Sequence, residues 1–373
     1  MQLNDVYINA FGTYLPGEPV ENSQIEAHLG LACGNKSRNR AFVLRQNKIK
    51  TRYYALDNQG KPFESNAGMA AKAVMGAVEN SEVTLNDIKA LSTSTSIADQ
   101  FLPGLASHVQ AELGIGPIEI ASMQSVCASF TMALKNAYMQ IKAREHECVA
   151  VTGSEFSSRF LKASFYENTR YFKENGAIQM DADFLRFTLS DGAGAAILEN
   201  KPNEHGLSLK VKWIDERSYS HQFETCMNGG VDEDGKYWGD YSSAADAEEN
   251  GALVLYQDFN LLKKMMPVWV AHYIDLIDEG KITVSEVDHV CCHYSAHSIK
   301  LEAQELIRQT GAMIDEEKWF TNLYTKGNTG SASMLIMLDE LFNNDTLKKG
   351  ELILCHVPES GRCLNSFIML EVV

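Results

Sequence analysis

Apolar positions along the chain form two kinds of segment, short continuous runs and longer stretches with helical spacing. The short runs at 118–123, 148–152, 290–292 and 352–355 predict buried strands, whereas residues 66–80 and 258–279 have the spacing of amphipathic helices. Strands that alternate with such helices indicate parallel strands covered by helices on both faces. The pattern therefore predicts a layered α/β protein.

The same order of elements occurs twice, about 200 residues apart. Segment 83–93, Val-Thr-Leu-Asn-Asp-Ile-Lys-Ala-Leu-Ser-Thr, matches segment 282–292, Ile-Thr-Val-Ser-Glu-Val-Asp-His-Val-Cys-Cys, as a capped turn that leads into a strand. The helical runs that begin at Cys127 and Asn328 match in the same way. We therefore predict two similar halves, residues 1–203 and 204–373, joined near residues 200–206.

Two stretches interrupt this repeat. Residues 157–183 mix aromatic and charged side chains without a clear period, and residues 231–250 are acidic and rich in glycine and alanine. We expect both to be insertions, and we expect the acidic one to be a solvated loop.

Composition narrows the class of protein. With 45% hydrophobic and 22% charged residues, the 373-residue chain can fill a large core. Its net charge of −16 argues against a nucleic-acid partner, and its apolar runs are too short to cross a membrane. The eight cysteines, with no obvious leader sequence, predict reduced thiols and a cytoplasmic location. The absence of a Cys-x-x-Cys pair argues against a zinc site, and we expect no metal or other cofactor.

Three residues are candidates for chemistry at strand ends. Cys127 precedes a predicted helix, whose positive end would favour the thiolate. Asn328 occupies the equivalent turn of the second half, so the two side chains could meet at one pocket. His293 follows the strand 290–292, and ligands of such folds bind at strand ends. Taken singly, Cys127 could equally be a buried core thiol and His293 a structural histidine.

Cations are concentrated in one segment of this acidic chain. Residues 35–52 contain seven basic residues and no acidic one. Such a segment can attract a phosphate-bearing ligand or an acidic partner, although it could also be a solvated charged loop.

Seven motifs in order resemble the β-ketoacyl-acyl-carrier-protein synthase III family of thiolase-like condensing enzymes over nearly the whole chain. The matching residues are Gly12-Thr-Tyr-Leu-Pro, Leu102-Pro-Gly with Gln110 and Leu113-Gly-Ile, Ser125-Val-Cys-Ala-Ser-Phe, Thr152-Gly-Ser-Glu, Ser190-Asp-Gly-Ala-Gly-Ala-Ala, Val287-Asp-His-Val-Cys-Cys-His, and Lys326-Gly-Asn-Thr-Gly-Ser-Ala-Ser. The resemblance implies a duplicated, five-layered α/β/α/β/α fold of the thiolase type.

The resemblance also implies a reaction. Cys127 would accept an acyl group from acyl-CoA or an acyl carrier protein, and a malonyl- or ketoacyl-type thioester would then condense with it by decarboxylative Claisen chemistry. His293 and Asn328 would handle the extender thioester, and the backbone N–H groups of Cys127 and Gly361 would form the oxyanion hole. A homodimer and an acyl carrier protein partner are implied, with neither nucleic acid nor membrane involved.

The binding residues depart from the family pattern. Phe42 stands where the family has an adenine-stacking indole, and Ser298 stands where it has an arginine that holds the CoA phosphates. Leu102 replaces an aromatic residue that crosses the dimer interface and limits acyl-chain length, so we expect a longer acyl substrate. Cationic contacts to the carrier or CoA are expected from Arg45, Arg52, Lys300 and Arg308. These departures indicate a specialised member of the family that acts in secondary metabolism.

Other activities remain open from the sequence. The same fold could condense or cyclise two acyl chains without decarboxylation, as dialkylresorcinol-type synthases do, or transfer an acyl group to an alcohol or amine. A Cys–His–Asn hydrolase is the reading that the residue types alone would give. A non-catalytic homologue that binds a partner is the remaining alternative.

Overall fold

The computed structural model describes residues 3–373, and its first half alternates strands with helices. The strands of this half are β1 (Tyr7–Tyr14), β2 (Val20–Glu21), β3 (Thr51–Arg52), β4 (Ala90–Thr95), β5 (Glu119–Gln124), β6 (Cys148–Glu155) and β7 (Gly192–Glu199). Its helices are α1 (Ile25–Leu29), α2 (Arg40–Asn47), α3 (Asn66–Glu79), α4 (Leu105–Leu113), α5 (Ser129–Lys142), α6 (Ser164–Glu167), α7 (Arg170–Asn175) and α8 (Met180–Arg186).

The second half repeats the order of the main strands and helices. Its strands are β8 (Leu209–Ser218), β9 (Met227–Asn228), β10 (Tyr256–Gln257), β11 (His289–Cys292), β12 (Trp319–Phe320), β13 (Leu352–Pro358) and β14 (Leu364–Val372). Its helices are α9 (Ala244–Glu249), α10 (Phe259–Asp278), α11 (His297–Gln309), α12 (Leu323–Lys326) and α13 (Ser333–Phe342).

Strand pairing has the same order in both halves. The first half pairs as β5-β4-β6-β7-β1 and the second as β12-β11-β13-β14-β8. In each half the first three strands of that order are parallel, and the last two pair antiparallel to their neighbours. Two residue pairs, Tyr7 with Lys210 and Ile8 with Leu209, join the two five-stranded sheets at β1 and β8. The strand order thus shows the duplication that the sequence repeat predicted.

Helices cover both sheets and fill the space between them. The core cluster between the sheets contains Phe130 of α5 and Leu335 of α13, together with Val151 of one sheet and Ile353 of the other. Separate clusters lie outside, where α3 and α4 cover the first sheet and α10 covers the second. These five layers are the α/β/α/β/α architecture that the family resemblance implied.

The contact between α3 and β1 explains one glycine of the first motif. A Cβ at Gly12 would lie 2.3 Å from the carbonyl oxygen of Ala73 and 2.2 Å from the amide nitrogen of Ala77. Because no side chain fits there, glycine allows the helix to pack directly on the sheet.

The division at residue 203 stays a prediction, and it falls in the connection between β7 and β8. The two predicted insertions lie between β6 and β7 and between β8 and α10. The acidic stretch is more ordered than the expected solvated loop, since it contains α9 and contacts the other insertion. Lys173 Nζ lies 3.0 Å from Glu249 Oε1, and Asn168 Nδ2 donates to Glu248 Oε1 at 2.8 Å.

All eight cysteines are free thiols, of which Cys33 is exposed and the other seven are buried. Within residues 3–373, no helix is both long and apolar enough to cross a membrane.

Candidate active site

Cys127 lies in the turn that connects β5 to α5. The carbonyl of Val126 accepts hydrogen bonds from the amide and hydroxyl of Ser129, so the chain turns tightly around Cys127 before the helix begins. The side chain is buried, with 6% of its surface exposed. Cys127 therefore lies in a fixed turn in the middle layer of the fold.

Asn328 lies in the equivalent region of the second half, before a 3-10 turn (Gly330–Ala332) and α13. Its amide donates to the carbonyl of Thr188 at 3.1 Å, and its carbonyl accepts from the amide of Ser190 at 2.8 Å. The side-chain Oδ1 accepts the N–H of Gly330 at 3.0 Å. These bonds fix the amide group and leave its Nδ2 as a hydrogen-bond donor.

Cys127 and Asn328 line one cavity of about 310 Å³, as the repeat predicted. Half of the lining residues are polar or charged. The apolar part comes from side chains such as Phe156, Phe160 and Leu189, and the ribbon formed by β9 and β10 closes one side. The volume is at the lower end of the range for small-molecule sites.

A buried carboxylate lies in the wall of this cavity. Glu155 is 2% exposed, and its Oε1 accepts hydrogen bonds from the amide and hydroxyl of Ser96 at 3.0 and 2.7 Å and from the amide of Ser331 at 3.2 Å. Burial raises the pKa of Glu155 to about 7, despite these hydrogen bonds that favour the charged form. Glu155 can therefore exchange a proton near neutral pH.

A second buried carboxylate fixes the backbone on both sides of the predicted oxyanion hole. Glu359 accepts hydrogen bonds from the Ser125 hydroxyl and, at 2.7 Å, from the Val126 amide. A Cβ on Gly361 would lie 2.9 Å from Cγ2 of Val126 and 3.2 Å from Cδ of Glu359. Gly361 is thus in close contact with the residue that precedes Cys127. The Glu359 side chain orders the surrounding loop, whose one glycine is Gly361.

The environment of Cys127 opposes the thiolate that we expected from the helix. Burial, and then the nearby carboxylates Glu359 and Glu155, raise the pKa of Cys127 well above its usual range. The resting side chain is therefore a neutral thiol.

His293 follows β11, as predicted, but it lines a different cavity. That cavity measures about 40 Å³ and is bounded mainly by apolar and aromatic side chains of α10, α11 and the second sheet. Burial lowers the pKa of His293 to about 4, so the ring is neutral at pH 7, and its buried Nε2 has no hydrogen-bond partner among residues 3–373. Pro358 lines this cavity and Ser360 lines that of Cys127, so the two cavities approach each other along segment 358–360.

A chain of buried hydrogen bonds supports the strand beside His293. The His293 amide donates to the carbonyl of His356 at 3.0 Å. His356 Nε2 donates to Asn365 Oδ1 at 2.8 Å, and Asn365 Nδ2 donates to Nδ1 of His272 at 3.1 Å. His272 then donates from Nε2 to Asp215 Oδ1 at 2.9 Å, which fixes the ring tautomers along the chain.

The two predicted substrate-binding residues lie outside both cavities. Leu102 is 82% exposed, next to Phe101, which is 88% exposed and stacks on Trp238 at 5.4 Å. Phe42 is 47% exposed on α2, and the Arg45 guanidinium lies 5.8 Å from its ring centre. Any contact of Leu102 with substrate would have to involve another chain.

Some of the cations that were predicted to contact the carrier or CoA are available to an outside partner, and another already pairs within the chain. Arg45 is exposed on α2, and Lys300 lies on α11, where its charge and that of Lys48 both act on His297. Arg308 is exposed but pairs with Glu305 and Glu316, each at 2.6 Å.

The expectation that Arg52 contacts the carrier or CoA is wrong. Its side chain is fully buried and donates to Oδ1 of Asn22 at 2.8 Å and to the carbonyl of Phe187 at 3.2 Å. It therefore braces the fold and cannot contact a carrier protein.

Sequence reasoning missed three residues of the site. No sequence pattern assigned a role to Glu359 or Gln257, and Glu155 stood at the end of the motif Thr152-Gly-Ser-Glu without one. A carboxylate inside an apolar strand, as in Cys148–Glu155, was the available signal for Glu155.

Comparison with known families and proteins agrees with this architecture. The model of 3-oxoacyl-(acyl-carrier-protein, ACP) synthase III matches residues 122–216, and the model of the C terminal of the same family matches residues 277–365. The β-ketoacyl-(acyl-carrier-protein) synthase III of Clostridium perfringens is 23% identical over 347 residues, which cover 92% of each chain.

Solved structures show the same fold. AbyA1, described as a tetronic acid condensing enzyme, has a TM-score of 0.79 at 18% identity, covering 98% of this chain and 99% of AbyA1. The 3-oxoacyl-(acyl-carrier-protein) synthase III of Aquifex aeolicus has a TM-score of 0.69 at 19% identity, with the same coverage. With both halves matched by the family models, the chain belongs to the 3-oxoacyl-(acyl-carrier-protein) synthase III family of thiolase-like condensing acyltransferases.

Proposed function

We propose that the protein forms a carbon–carbon bond by decarboxylative Claisen condensation, with Cys127 holding the acyl group as a thioester. The observation that carries the proposal is the common cavity of Cys127 and Asn328, which come from equivalent turns of the two halves. A nucleophile and an amide donor at one enclosed site suit acyl transfer followed by attack of a carbon nucleophile.

In the first step, the Cys127 sulfur attacks the carbonyl carbon of an acyl thioester. A new C–S bond forms, the bond to the donor thiol breaks, and the proton lost by Cys127 ends on the departing thiol. Glu155 has a pKa of about 7 in the same cavity, which makes it suited to take this proton and return it. We assign the oxyanion hole to the N–H groups of Cys127 and Gly361, which the Glu359 contacts hold near each other.

In the second step, a malonyl-type thioester loses CO₂ by breaking the bond to its carboxylate carbon. The resulting enolate carbon attacks the acyl carbonyl, and Cys127 leaves with the electrons of its C–S bond. The enolate oxygen needs hydrogen-bond donors, for which we assign the Asn328 amide and the neutral ring of His293. A neutral imidazole suits this role because it donates without a permanent charge.

A second candidate reaction keeps the acyl-enzyme and changes the acceptor. Polar side chains in the mainly apolar lining of the Cys127 cavity can pair with oxygen functions on a substrate. AbyA1, a tetronic acid condensing enzyme, has the same fold. Non-decarboxylating joining of two acyl chains, or transfer to an alcohol or amine, is therefore the alternative.

We propose that a second copy of the chain completes the site. β5 is the outer strand of the first sheet and exposes 40% of Ile120, while Phe101 and Leu102 are almost fully exposed nearby in the chain. Pairing of two such edges would remove an open strand edge and cover these apolar side chains. Leu102 would then reach the partner's site, as the resemblance implied.

We propose that an acyl carrier protein docks where α2 and α11 meet. Arg45, Lys48 and Lys300 are the cations there, and Phe42 offers an exposed ring. An acidic partner would be drawn to this local positive charge although the whole chain carries −16.

Intact-protein mass spectrometry tests the proposal. Incubation with acyl pantetheine thioesters should add the mass of one acyl group to the wild type and none to Cys127→Ala. Addition of malonyl carrier protein should then release CO₂ and form a product of the corresponding mass. A product formed without release of CO₂ would select the alternative, and an unlabelled, fully active Cys127→Ala would overturn both.

A further inference from the structure

Gln257 is a buried amide that forms no side-chain hydrogen bond within the described chain. It is 1% exposed, lies in β10 and lines the cavity of Cys127. Its Nε2 is fully enclosed without a partner among residues 3–373. An unpaired amide in such a place is energetically unfavourable, so a buried glutamine without a partner calls for an explanation.

The backbone around Gln257 is held firmly. β10 pairs with β9 through Gln257 and Met227 and through Tyr256 and Asn228. The next residue, Asp258, donates its amide to the carbonyl of Cys226 at 2.9 Å and caps the N-terminus of α10. The backbone of Gln257 is therefore fixed at the wall of the cavity.

Asn228 on the neighbouring strand does not share this orientation. It pairs with Tyr256, whereas Gln257 pairs with Met227, so the side chains of Asn228 and Gln257 lie on opposite faces of the ribbon. The Asn228 side chain reaches the hydroxyl of Tyr256. Gln257 is therefore the amide of this ribbon that lines the Cys127 cavity without a side-chain partner among the described residues.

We propose that Gln257 selects acyl chains that carry an oxygen substituent, such as a 3-oxo or 3-hydroxy group. The proposal rests on the proposed function, since it names the substrate class of the acyl-enzyme. A primary amide both donates and accepts, so it can pair with a carbonyl or a hydroxyl group. A saturated chain would leave the amide unpaired, and the site would discriminate against it.

The rate of Cys127 acylation tests this assignment with matched substrates. The probes are the pantetheine thioesters of hexanoic, 3-hydroxyhexanoic and 3-oxohexanoic acid, each at a concentration below saturation. We expect the wild type to prefer an oxygenated chain by about tenfold, and Gln257→Leu to abolish this preference. Gln124→Leu is the matched control, because the Gln124 amide lines the same cavity but already donates to the carbonyl of Ser96 at 3.2 Å.

Thermal stability separates substrate selection from a structural role. Removing an unpaired buried amide should leave the melting temperature of Gln257→Leu unchanged or raised. An unchanged preference in Gln257→Leu would overturn the proposal. An equal loss for all three thioesters would also overturn it, by assigning the amide to the pantetheine arm. In both cases acylation of Cys127 would still support the proposed function.

Discussion

The cavities of Cys127 and His293 both border segment 358–360 and differ in size, lining and ionisable groups. The first measures about 310 Å³, combines polar side chains with a mainly apolar exposed surface, and has Glu155 in its wall. The second measures about 40 Å³ and is mainly apolar and aromatic. One offers room and hydrogen-bonding groups for an acyl chain, whereas the other holds a single neutral imidazole. In the proposed reaction, the first cavity binds the acyl chain and the second supports the condensing step.

Burial acts in opposite directions on the two ionisable groups. It raises the pKa of Glu155 to about 7 and lowers that of His293 to about 4, so each is kept towards its neutral form. The two cavities should therefore respond to pH with opposite signs.

The largest effect that we expect concerns Glu155 and the stability of the fold. Because its pKa is higher in the folded state, stability is lost as pH rises from about 4.5 to about 7 and stays reduced above that range. Glu155→Gln should be more stable than the wild type at pH 8, by about 1–3 kcal/mol, and should have no such advantage at pH 4. Urea unfolding at the two pH values measures this.

His293 supplies the control of opposite sign. Its lowered pKa means that stability is lost as pH falls from about 6.5 towards 4. His293→Phe should remove that acid loss and leave the alkaline one unchanged. Parallel pH profiles for the wild type and both variants would contradict the contrast between the cavities.

A smaller effect concerns the thiol itself. Replacing Glu359 with Gln removes one of the two carboxylates that raise the pKa of Cys127, while a side-chain oxygen remains to accept the Val126 amide. We expect Cys127 to react with iodoacetamide about tenfold faster at pH 9, which corresponds to a pKa lower by about one unit. Glu216→Gln is the control, since Glu216 does not contribute to the pKa of Cys127. An equal change in both variants, or none in Glu359→Gln, would reject the assignment.

The smallest effect is expected at the proposed carrier-docking surface. Reversing Arg45 and Lys300 to glutamate should raise KM for a carrier-bound substrate about fivefold at low salt, with less effect at high salt. Arg308→Glu should change KM less, because Arg308 is already paired with Glu305 and Glu316. Similar KM values for the double variant and the wild type would move the docking site elsewhere.

The repeat predicted the fold and the pairing of Cys127 with Asn328 because both follow from local patterns. A strand, a turn and a helix leave a readable trace in the sequence, and two equivalent turns meet by symmetry. The position of His293 at a strand end followed from the same rule.

The features of the site that the sequence did not predict depend on contacts between residues distant in sequence. Arg52 looked like one of seven available cations, yet its partners Asn22 and Phe187 bury it. Glu359 and Gln257 became visible only once the loop at 359–363 and the ribbon of β9 and β10 were placed against Cys127. No periodicity reports such contacts.

The division of labour between the cavities is tested most directly by single-turnover mass spectrometry of His293→Ala. The account predicts that Cys127 gains its acyl group at nearly the wild-type rate. Product formation after addition of malonyl carrier protein should fall by about 10²–10³-fold, because one donor to the enolate is lost. Product formation at the wild-type rate would contradict the account. Loss of Cys127 acylation together with loss of condensation would contradict it as well.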